Sequence, residues 1–127
     1  MKLLLLLLIA APLAIATPGQ VVHESPFFCD LSKLTPADRV RLQEIAGKLA
    51  ADRPTVHELP DGYAFEFRGD ADTFRRVADW LASERLCCPF FDIQIRTTPE
   101  GGPITVTLGG RPGTKDFIRL EFEKWIR

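Results

Sequence analysis

The chain lacks an excess of basic residues, has only two histidines, and carries its three cysteines without a Cys-x-x-Cys pair. Lys and Arg total 16 against 17 Asp and Glu, a formal net charge of −1. That near balance excludes a protein held to nucleic acid through its phosphates, which needs concentrated positive charge. Neither the dinucleotide glycine spacing nor a Gly-Lys-Ser/Thr ending occurs, so Gly109-Gly110-Arg111-Pro112-Gly113 reads as a turn and not as a phosphate cradle. No nucleophile, histidine and carboxylate fall into a catalytic pattern, which points away from an enzyme. The apolar run that begins at Leu3 ends near Ala16. It is short of the roughly 20 residues a spanning helix requires, and no stable transmembrane anchor is expected.

That run has another meaning. Lys2 precedes the apolar stretch Leu3–Ala11, and Ala14-Ile15-Ala16 has the small-x-small pattern of a cleavage site. Residues 1–16 are therefore expected to form a signal peptide, and the remainder to be exported to the periplasm or the cell exterior. No cysteine stands at the processing point, which removes the case for a lipid anchor there. Residues 17–33 form an irregular arm interrupted by Pro18, Gly19 and Pro26. Phe27-Phe28 should pin that arm to the body and carry Cys29 with it. Residues 34–127 make one compact α/β domain.

Within that domain, Thr35 is an N-cap ahead of Pro36, and Leu42, Ile45, Ala46 and Leu49 form an apolar stripe that Pro54 ends. Leu59-Pro60-Asp61-Gly62 is a turn into a strand whose Tyr63, Phe65 and Phe67 share one face. Asp70 caps a second helix with an expected buried stripe of Phe74, Val77, Ala78, Leu81 and Leu86. Trp80 is expected at the edge of that stripe with its N–H in water. Residues 91–98 and 103–109 alternate around Pro99-Glu100-Gly101-Gly102 as an antiparallel hairpin, and a last helix runs from Thr114. The fold expected is α/β (α+β), a small three-stranded sheet with helices mainly on one face. It resembles an incomplete ferredoxin-like sandwich, with the third strand between the first two.

The chemistry gathers in Glu84-Arg85-Leu86-Cys87-Cys88-Pro89-Phe90-Phe91. Pro89 biases Cys88 out of the helical region, so both thiols should lie at a helix C-terminus and diverge as the chain turns. Cys87 lies three residues after Glu84, on its side of the helix. These residues, with Cys29 before Leu34-Thr35-Pro36, Leu59-Pro60-Asp61-Gly62-Tyr63, and Gly109-Gly110 before the last helix, make the chain similar to a family of small, uncharacterised bacterial proteins. The resemblance spans about residues 28–126 and implies no particular reaction. The apparent export signal departs from it.

Three uses of the thiols follow. Cys29, Cys87 and Cys88 can bind a soft metal or metalloid ion such as copper(I) or zinc, with Glu84 as a fourth ligand or as a group that orients a thiol. Zinc could instead take His23 or His57 as its fourth ligand, although isolated surface histidines are the simpler reading. The second use is thiol–disulfide exchange with a thiol-containing partner, which the missing Cys-x-x-Cys pair and the helix C-terminal placement disfavour. The third is a non-catalytic binding domain in which Cys29 bridges Cys87 or Cys88, leaving one thiol over; a bridge between the adjacent pair is sterically demanding.

Overall fold

The computed structural model describes residues 23–127. The expected signal peptide, 1–16, and the start of the arm, 17–22, lie outside the described residues. After a short 3-10 turn, Leu31–Lys33, come α1 (Pro36–Ala51), β1 (Thr55–Glu58), β2 (Gly62–Phe67), α2 (Ala71–Cys87), β3 (Asp92–Thr97), β4 (Ile104–Gly109), α3 (Thr114–Glu121) and α4 (Glu123–Ile126). Thr35 caps α1 by accepting from the Asp38 N–H, and Asp70 caps α2 by accepting from the Thr73 N–H. None of the described helices is long and apolar enough to cross a membrane.

The sheet corrects the expected architecture. It has four strands in the order β1-β2-β4-β3, every neighbouring pair antiparallel. Together with the four α-helices of the described residues, this replaces the expected three-stranded sheet with helices mainly on one face. The strand that sequence reasoning omitted is β1. Its residues are Thr-Val-His-Glu, and only Val56 is even half-buried, so an edge strand held by backbone pairing leaves no apolar alternation to read. β1 and β2 form a hairpin in which the Leu59 N–H donates to the Gly62 carbonyl at 2.9 Å. A Cβ on Gly62 would stand 1.9 Å from the Leu108 carbonyl oxygen, so close approach of β2 to β4 requires glycine there.

The core rows are Tyr63, Phe65 and Phe67 on β2 and Ile104, Val106 and Leu108 on β4, packed with Ile45, Leu49, Val77, Leu81 and Ile118. The C-terminal helix is not continuous as expected. It breaks at Phe122 (φ −104°, ψ 27°), and the break brings both Phe122 and Trp125 inward. Trp125 lies 4.9 Å from Trp80 and 5.6 Å from Phe65 between ring centroids. Trp80 is therefore fully buried, contrary to the expectation of a wet edge.

The buried face of α2 is rotated from the expected stripe. Thr73, Val77, Trp80, Leu81, Glu84 and Cys87 are buried, whereas Phe74, Ala78 and Leu86 are exposed. The fully apolar reading of the helix failed because Glu84 belongs to its interior face. On β3 the inward row fades along the strand, with Phe91 and Ile93 half-buried and Ile95 46% exposed.

Candidate functional site

Spacing on α2 builds the site. Trp80, Glu84 and Cys87 follow one another by four and three residues, which stacks them on one helix face. Trp80 Nε1 donates to Glu84 Oε1 at 2.8 Å, and the remaining oxygen, Oε2, points toward the sulfurs. The helix ends as Pro89 requires: Cys88 is the C-cap, and its N–H donates to the Glu84 carbonyl at 2.7 Å. Both cysteine side chains are fully buried. They do not diverge as expected, for their Sγ atoms are 3.9 Å apart.

The arm delivers the third sulfur. The Asp30 N–H donates to the Cys87 carbonyl at 2.8 Å. Phe27 stacks edge-on against Phe90 with centroids 5.1 Å apart, and the Arg111 guanidinium sits 4.3 Å over the Phe27 ring while donating to the Ser25 carbonyl. Gly113, at φ +100°, permits this seat: a Cβ there would stand 2.7 Å from the Phe27 ring. Phe28, by contrast, is 51% exposed and does not pin the arm. Phe27→Ala is expected to cost about 1 kcal/mol of stability, since the ring is only partly buried, and urea denaturation would measure it.

Cys29 is joined to Cys88 by a disulfide with Cα atoms 5.0 Å apart, leaving Cys87 as the free thiol. Cys87 Sγ lies 3.3 Å from Cys29 Sγ and 3.8 Å from Glu84 Oε2, within reach of a weak S–H donation to the carboxylate. Cys29 Sγ lies 3.9 Å from the same oxygen. The donor atoms of Cys29, Glu84, Cys87 and Cys88 are all within 4.8 Å of one another, a cluster able to coordinate a soft metal or metalloid ion once its sulfurs are reduced. Phe90 is buried beside the cysteines, with Phe91 and Phe117 packed against them, and makes the surroundings apolar.

No family model, curated protein or solved structure matches the chain.

Burial dominates its electrostatics. The Glu84 carboxyl is pushed up to about 7 by desolvation, against the lowering effect of the Trp80 hydrogen bond and with a smaller raising contribution from Glu121. The Cys87 thiol is pushed up to about 12, first by desolvation and then by the negative charge of Glu84. The Cys87 thiol thus keeps its proton near neutrality, whereas the Glu84 carboxyl titrates there.

Neither histidine belongs to the cluster. His57 faces Glu66 at 3.7 Å on exposed sheet surface. His23 lines a cleft of about 200 Å³ with Pro26, Phe28, Leu86 and Pro89, and Cys87 is among its lining residues although it is fully buried. Trp80 is the functional residue that sequence reasoning missed. Its position four residues before Glu84 and seven before Cys87 was the available signal. Trp80→Phe should cost about 1–3 kcal/mol at pH 8, where a buried carboxylate loses its donor, and less at pH 5; urea denaturation at the two values checks this.

Proposed function

We propose that this is a non-catalytic binding domain with two thiol states. With Cys29 and Cys88 oxidised, the disulfide tethers the arm; an external dithiol, giving two electrons and two protons and becoming a disulfide itself, breaks the bridge and frees a three-sulfur site for a soft metal or metalloid ion. The convergence of the four donor atoms within 4.8 Å is the observation that carries this reading. Three thiolates suit a trigonal copper(I) or trivalent metalloid ion, and Glu84 supplies the fourth ligand that zinc would take. An exported setting, which Lys2 and the following apolar run support, favours the oxidised state in the absence of a reductant.

Thiol–disulfide exchange is the competing use, favoured by the 3.3 Å separation of Cys87 Sγ from a bridged sulfur. It is weakened by the high thiol pKa of Cys87, because thiolate and not thiol is the attacking species.

Native mass spectrometry on full-length protein offered copper(I), zinc or arsenite tests the proposal. One ion per chain is expected after reduction, none while the disulfide is intact, and marked loss in reduced Cys87→Ser. Equal binding in both redox states, or no retained ion after reduction, would overturn it.

A further inference from the structure

Two of the residues that sequence patterning assigned to the core and the structure leaves outside, Ala78 and Ile95, line one groove. Ala78 on α2 and Ile95 on β3 are exposed, and with Ala82, Arg85, Phe91 and Ile93 they line a groove of about 600 Å³ between the helix and the strand. β3 is also an edge of the sheet. Edge strands are ordinarily guarded by proline, charged side chains, a bulge or brevity. β1 at the opposite edge is brief, at four residues, and Glu58 there is engaged by Lys115 at 2.7 Å. β3 has six residues, Asp-Ile-Gln-Ile-Arg-Thr, with no proline, and its charges are one of each sign, Asp92 and Arg96.

The order of charges on β3 makes it complementary to itself. Antiparallel pairing about a two-fold axis through Gln94 sets Asp92 opposite Arg96 of the second copy, and Arg96 opposite the second Asp92. It also sets Ile93 opposite Ile95 of the second copy. Directly opposed residues with opposite charge or matched aliphatic shape are the pairs that stabilise an antiparallel ladder. Among the described residues, neither Asp92 nor Arg96 takes part in an ion pair within the chain. A two-fold axis uses the same patch on both copies, so each favourable pair occurs twice.

We propose that the protein forms a symmetric homodimer by pairing β3 with β3 of a second copy. The two sheets join into one, Ile93 and Ile95 meet their counterparts over the groove, and the small side chains of Ala78 and Ala82 let the two α2 helices approach. The sulfur cluster is not part of the paired strand, so the dimer is independent of the thiol state.

Sedimentation velocity on full-length protein with its disulfide intact tests this. The wild type is expected at twice the chain mass. Ile95→Arg should give a monomer with an unchanged circular dichroism spectrum. Asp92→Arg and Arg96→Asp should each weaken association by about tenfold or more, because each opposes like charges twice. The double variant D92R/R96D restores opposite pairs and should recover most of the affinity. A monomeric wild type would overturn the proposal, as would a dimer indifferent to Ile95→Arg or a charge swap without recovery.

Discussion

Glu84→Gln is expected to be more stable than the wild type by about 3 kcal/mol at pH 8, with little of that gain remaining at pH 4. Folding raises the Glu84 carboxyl from its ordinary 4.5 to about 7. Below 4.5 both the folded and the unfolded chain hold the proton, so burial carries no ionic penalty. Between 4.5 and 7 the unfolded chain releases its proton while the folded chain keeps it, and stability falls as pH rises through that window. Above 7 the loss is complete, and a shift of this size corresponds to about 3 kcal/mol. Glutamine can still accept the Trp80 N–H through its side-chain oxygen but cannot ionise. Urea denaturation of both proteins at pH 4, 6 and 8 would show the gap opening. Parallel curves would mean that Glu84 is ionised when folded at every pH tested.

Cys29→Ser is expected to lose about 4 kcal/mol of stability under non-reducing conditions, where the wild type keeps its bridge. The disulfide joins residues 59 apart in sequence, and constraining a loop of that length in the unfolded chain is worth about 4 kcal/mol on the chain-entropy account. The arm should then be held only by the Phe27–Phe90 contact, the Arg111 contacts and the Asp30–Cys87 backbone bond. Guanidinium denaturation without reductant measures the difference. Adding reductant should bring the wild type close to the variant. Cys87→Ala, which leaves the bridge intact, should retain most of the wild-type stability. A wild type unchanged by reductant would show that the tether contributes nothing.

The sequence announced the elements that alternate or cap clearly. Thr35, Asp70 and Pro89 mark helix ends through local hydrogen bonding and steric exclusion, and β2, β3 and β4 have apolar residues at period two. β1 did not announce itself, because a short edge strand needs no buried row. The buried face of α2 was misread for a different reason. The expected stripe placed Phe74 in the core and left Glu84 out of it, whereas Phe74 is 43% exposed and the Trp80 indole satisfies the buried Glu84 carboxyl on the interior face. The break at Phe122 was equally hidden, since Phe122 and Trp125 fit a helical register until the backbone is seen to turn. Cys29, Cys87, Cys88 and Glu84 were identifiable by residue type. Their convergence depends on the arm lying across the end of α2, a long-range contact that residue spacing does not carry.

X-ray absorption on the reduced full-length protein loaded with copper(I) or arsenite tests the central claim most directly. Three sulfurs around the ion, falling to two in Cys87→Ser, is the predicted result. A nitrogen- or oxygen-dominated shell, or three sulfurs retained in that variant, would contradict it.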